Sequence, residues 1–224
     1  MSTVASLGSA KVCAIRVSRL DAECNIVKGD NNASISSGIV RLQASPEFEA
    51  GGEFIMKNGC GDIALQLKDQ DKLKRMTLQL ELATRDMELL EILTGGTLYT
   101  DAGDVIGFAR RGVGADDPDP VSLELWTRAI GTTGACSQDN AVAGWWRWVY
   151  PRVTFTLGDV THENGIGVVQ LKGFGDPNPN WGNGPFNDWP ADEYFDPTAP
   201  EHFVLDVAGP PTTSGGYTDV PLTS

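Results

Sequence analysis

The stretch Thr84–Gly96, TRDMELLEILTGG, decides how the chain is read. Thr84 is placed as an N-cap, because its hydroxyl can accept from a free N–H of the first turn. Asp86 and Glu88 follow where the helix dipole favours negative charge. Met87, Leu89, Leu90 and Leu93 form one apolar stripe at helical spacing. Gly95 and Gly96 offer the left-handed conformation that ends a helix. The spacing therefore predicts a helix over Arg85–Thr94. Before it, Met76–Ala83 alternates, with Met76, Leu78, Leu80 and Leu82 on one side and Thr77, Gln79 and Glu81 on the other. After it, Thr97–Tyr99 and Val105–Phe108 flank an Asp101–Asp104 turn and read as a hairpin. A single short helix in a chain of strands must bury its stripe against a sheet. The expected fold class is mainly β: an antiparallel β-sandwich or barrel with one packed helix, extended loops and a flexible C-terminal tail.

Outward from that centre, strands are expected at Val12–Leu20, Ile39–Ala44, Ile63–Leu67, Val121–Ile130, Val153–Leu157, Ile166–Phe174 and His202–Val207. Trp145–Val149 opens an apolar strand. Pro151 then marks it as a sheet edge, a bulge or a break. Glu47–Asn58 contains two glycines and reads as an extended loop that orders against a partner. Gly175–Pro200 is a long loop rich in Pro, Asn, Gly and Asp with aromatics interleaved, and such loops carry a function or a partner. The division expected is an N-terminal arm over 1–11, one β domain over 12–207 including the loop at 175–200, and a mobile tail over 208–224.

The 224 residues carry a formal charge of −13. Of the 17 bases, only Arg128, Arg147, Arg152 and Lys172 follow Gly114, against 15 of the 30 acids. A surface of that sign repels nucleic acid and disfavours a gripping role on DNA or RNA. No apolar run has the length of a membrane span, and neither a membrane anchor nor a standard export signal is expected. Cys13, Cys24, Cys60 and Cys136 form no CxxC pair, so reduced structural thiols are expected in place of a zinc site. Asp116, Asp117 and Asp119 lie in a loop without the EF-hand spacing. His162 and His202 stand outside any catalytic motif. Neither an enzyme activity, a cofactor nor a metal is expected.

Five segments in order resemble the major tail tube proteins of long-tailed, siphovirus-type bacteriophages, particularly those of actinobacteria. They are RVSRLDAECN (Arg16–Asn25), LQASPEFEAGGEFIMKNGCG (Leu42–Gly61), LQLELATRDMELLEILTGG (Leu78–Gly96), WWRWVYPRVTFTLGDVTHENGIG (Trp145–Gly167) and PNPNWGNGPFNDWP (Pro177–Pro190). The resemblance implies a structural virion protein whose subunits form hexameric rings. The rings stack into a hollow tube that conducts the genome to the host cell. It implies self-association, a tape-measure protein in the lumen, and tail terminator and tail-tip proteins at the ends. DNA would pass without specific binding. Assembly would take place in the host cytoplasm, and the final location would be the virion tail. Glu49, Glu53, Phe54, Met56, Trp181, Phe186, Trp189 and Tyr194 are the expected subunit-interface residues. Glu81, Glu124 and Asp159 are the expected lumen residues, the first two from polar strand faces. The alternative is a monomeric carbohydrate- or calcium-binding β-sandwich, built on the Trp181–Asp196 loop and the aspartates at 116–119.

Overall fold

A computed structural model describes residues 7–29, 31–131, 142–159, 167–181, 196–206 and 209–211. Eight strands form one antiparallel sheet: β1 (Leu7–Arg19), β2 (Ala33–Ser36), β3 (Ile39–Glu49), β6 (Lys72–Leu82), β9 (Val121–Gly131), β10 (Val142–Leu157), β11 (Val169–Asp176) and β12 (His202–Asp206). Their order is β2-β1-β9-β10-β11-β6-β3, with β12 beside the first half of β10. Two hairpins stand outside it: β4 (Glu53–Lys57) with β5 (Ile63–Lys68), and β7 (Thr97–Asp101) with β8 (Asp104–Ala109). The fold is mainly β, antiparallel and sandwich-like, with one helix, α1 (Met87–Thr94).

The sheet path begins at β2 and ends at β3, which are joined in sequence by residues 37–38 alone. The sheet therefore curls back towards its own start, and α1 packs against β1, β2 and β10. One core results. Ile15 and Val17 from β1, Leu78, Leu80 and Leu82 from β6, and Leu123 from β9 meet Val153 and Phe155 from β10. The helix contributes Leu89, Leu90, Ile92 and Leu93 to the same cluster. Alternation along β6 is the cause, since a period of two sends every second side chain to one face. Gly95, at φ 64°, closes the helix in the left-handed conformation, and its N–H donates to the Glu91 carbonyl at 2.8 Å.

Several expected boundaries move. The N-cap is Asp86, not Thr84. The Asp86 carboxylate accepts from the Leu89 N–H at 3.1 Å, and the helix begins two residues later than expected. An ionised cap adds its charge to the helix dipole, an advantage that a threonine hydroxyl lacks. β1 begins at Leu7, within the segment read as an arm. β10 runs through Pro151 with a register shift between Tyr150 and Val153, so the proline sits at a bulge. That shift keeps Trp148, Tyr150, Val153 and Phe155 on the side of the main core. The tail at 212–224 lies outside the described residues.

Truncating Leu93, which is wholly buried, removes contacts between α1 and the sheet. Leu93→Ala is expected to lower stability by about 2–5 kcal/mol, read from the urea midpoint. An unchanged midpoint would mean that the helix stripe contributes nothing to the core.

Candidate functional site

The segment expected to be a loop is the outgoing half of a projecting arm. β3 ends at Glu49, and the chain re-forms a ladder at β4–β5 after breaks at 50–52 and 69–71. Gly51 permits the break: a Cβ there would lie 2.1 Å from the Asp69 carbonyl oxygen. The Gly51 N–H donates to Asp71 Oδ1 at 3.0 Å, and the Asp69 N–H donates to the Gly52 carbonyl at 2.9 Å. At the tip, Asn58 Oδ1 accepts from the N–H groups of Cys60 and Asp62 at 3.0 and 2.9 Å. A short polar side chain thus closes the turn.

Opposed residues of an antiparallel pair share a face. Phe54 stands opposite Leu67 and Met56 opposite Leu65, while Glu53 opposes Lys68 and Ile55 opposes Gln66. The arm therefore has an apolar face of Phe54, Met56, Leu65 and Leu67, each 57–64% exposed. The other face is mostly polar, with Gln66 Nε2 donating to Glu53 Oε1 at 2.9 Å. Phe48 and Leu73, paired at the root, add further exposed apolar area. A lone two-stranded hairpin is marginal in water, and a contiguous apolar patch of this kind marks a contact surface.

Among the expected interface residues, Glu49, Glu53, Phe54 and Met56 lie on the arm or at its root, and all are exposed. Trp181 does not join them. It is buried with Leu20, Ile26, Ala33 and Val149 in a second small core, and its indole N–H donates to Ser122 Oγ at 2.9 Å. Its burial also removes it as a stacking platform for sugar. Phe186, Trp189 and Tyr194 lie outside the described residues. For the return strand, the alternation predicts a strand over Ile63–Leu67 but does not identify it as the partner of Glu53–Lys57. The signal was present, because both runs alternate and a turn containing Asn58, Gly59 and Gly61 separates them.

The three expected lumen carboxylates occupy different environments. Glu81 lies on a solvated sheet face and accepts from Arg41 at 2.7 Å. Its neighbours across β11, β6 and β3 are Gln170 and Arg41, and the next row is Lys172, Gln79 and Gln43. Asp159 is exposed just beyond the end of β10. Glu124 is a correction: it is 1% exposed and faces no solvent. β9 alternates as expected, but the small Trp181 core lies on the side of the sheet away from the main core, so both faces are buried. Glu124 accepts from Arg16 Nε and from Arg147, whose Nε lies at 2.9 Å. Both guanidinium groups also lie near the Trp126 ring, with centroid distances of 5.6 and 5.7 Å. Burial alone would raise the Glu124 carboxyl. The two arginines outweigh that effect by charge and hydrogen bonding, and hold it below the ordinary carboxylate range.

A groove of about 690 Å³ opens beside α1. Met87, Leu90, Phe108, Leu157 and Val169 form its apolar lining, and Arg85, Arg110 and Asp159 its charged one. Arg110 is fixed by donation to the Gly158 carbonyl. Among the described residues, no group of three or more His, Cys, Asp or Glu is placed to hold a metal ion. His162 lies outside the described residues; His202 is buried on β12. No protein-family model and no curated protein matches the chain.

Glu124→Gln leaves two buried arginines without their counter-charge. It is expected to cost about 3–5 kcal/mol, measured by chemical denaturation; a wild-type midpoint would show that the charge is dispensable. The pH dependence has a separate source at its upper end. Burial holds the His202 imidazole below its ordinary value, against a backbone hydrogen bond with Ala199 and the charge of Asp196. A depressed value means that the unfolded chain binds the proton more readily. This contribution is whole above about pH 6.5 and is lost as the pH falls below it. His202→Gln should flatten the melting temperature profile just below that pH. An unaltered profile would assign the slope to other groups.

Proposed function

We propose that this chain is the major tail tube subunit of a long-tailed bacteriophage, forming hexameric rings that stack into a hollow conduit for the genome. The β4–β5 arm carries the reading: it presents an uncovered apolar face, and its outgoing strand lies in Leu42–Gly61, one of the segments resembling tail tube proteins. A hairpin of this kind gains stability when a neighbouring subunit covers it. Two further observations support assembly. Among the described residues β3 pairs along its length with β6 alone and is largely exposed, and an edge of this kind accepts pairing with other chains. The chain also carries a net charge of −13, which repels phosphate and lets DNA pass without adhering. Glu81, Lys172 and the glutamines around them form a solvated face suited to contact with an aqueous passage. The tape-measure protein within the lumen and the terminator and tip proteins at its ends are part of the proposal, as is location in the virion tail.

Electron micrographs of the purified chain test it: six-fold rings or tubes are expected. The double substitution Met56→Glu and Leu65→Glu places charges on the exposed arm face. It should leave melting within about 1 kcal/mol of wild type, as surface changes do, yet abolish tubes. Tubes formed by that variant would remove the arm from the interface. Only monomers from the wild-type chain at high concentration would overturn the whole reading.

A further inference from the structure

Two apolar features of this chain lie open among its described residues, at different places on its surface. One is the exposed arm face of Phe54, Met56, Leu65 and Leu67. The other is the concave groove beside α1, lined by Met87, Leu90, Phe108, Leu157 and Val169. We propose that the groove is the receptor for the tip of the β4–β5 arm of a second copy of this chain. This rests on the assembly reading above and adds to it the surface that receives the arm.

The shapes and charges suit one another. Along a strand the rise is about 3.3 Å per residue, so Met56, its partner Leu65, and Ile63 crowd into the last part of the arm. They enter a groove of about 690 Å³ as one apolar knob. The charges beside them are Lys57 and Asp62, one at each end of the tip turn. The groove presents the complementary set, Asp159 and the pair Arg85 and Arg110. Arg110 is held in place by the Gly158 carbonyl, next to Asp159 in sequence. Burial of the knob supplies affinity, and the charges select the orientation, because a reversed tip would set Lys57 against the arginines.

A knob and a socket at different sites of one chain make a head-to-tail contact. Each copy that gives its arm still has an empty groove, and each that receives an arm still has its own to give. Unless two copies exchange arms reciprocally, the contact does not stop at a dimer.

Cys60 is an exposed thiol at the tip and serves as the probe. Arg85→Cys and, separately, Asp159→Cys place a second thiol beside the groove at exposed positions. The assembled full-length variants are oxidised with diamide and run on a non-reducing gel, and the linked peptides are identified by mass spectrometry. A ladder of dimers, trimers and larger species is expected, with Cys60 joined to the introduced thiol. The ladder should vanish when Cys60→Ser is added. If rings or tubes form in the micrographs but neither variant links to Cys60 between chains, the groove is not the receptor and the assembly reading stands. If neither the wild-type chain nor the variants assemble, both fall. A link found only within monomers also overturns the proposal.

Discussion

The burial of one carboxylate constrains the middle of this molecule. Glu124 on β9 stands between Arg16 on β1 and Arg147 on β10, so a single charge ties three neighbouring strands together. Removing an ion from water costs several kcal/mol, and only close partners offset that cost. The register of β1 against β9 sets Arg16 directly opposite Glu124. A slip by one residue would turn the carboxylate into the leucine-rich core on the other face. The triad thus penalises wrong registers more strongly than it stabilises the right one. With those strands fixed, the Trp181 core can close over one side and α1 over the other.

The α1 region was legible because its signals were local and agreed. The alternation of β6, the helical stripe and Gly95 all lie within about twenty residues, and each predicts the same arrangement. Asp86 displaced Thr84 as the cap because two capping residues stood two positions apart and only the ionised one could also use the dipole. The arm was harder to read. Its two strands alternate, but the double glycine at 51–52 resembles a loop until its close approach to Asp69 is visible. Glu124 and Trp181 could not be placed from the sequence. An alternating strand with one polar side looks half-exposed, and nothing local shows that a segment more than fifty residues away covers it. The arginines that neutralise Glu124 are likewise distant in sequence, 108 and 23 residues away.

Polar groups on the solvated sheet face are organised differently from those inside. Arg41 neutralises Glu81, Arg75 and Lys74 approach Glu47, and the Arg75 guanidinium lies 3.8 Å above the Phe174 ring. Exposed pairs of this kind contribute little to stability. They do set local charge, so this face is close to neutral in a chain that is acidic overall.

The distribution of apolar surface bears on assembly in the same way. The inner core takes up Leu78, Leu80 and Leu82 of β6 and the leucines of α1, whereas six large apolar side chains of the arm, from Phe54 to Leu67, remain in water. Both sets belong to one continuous stretch of chain, residues 53–94. The difference arises at Gly51 and Asp69–Asp71, where the ladder breaks and the arm leaves the sheet. Upstream and downstream of that break the same alternating pattern meets opposite fates. Folding covers the proximal half, and the distal half stays exposed to solvent among the described residues.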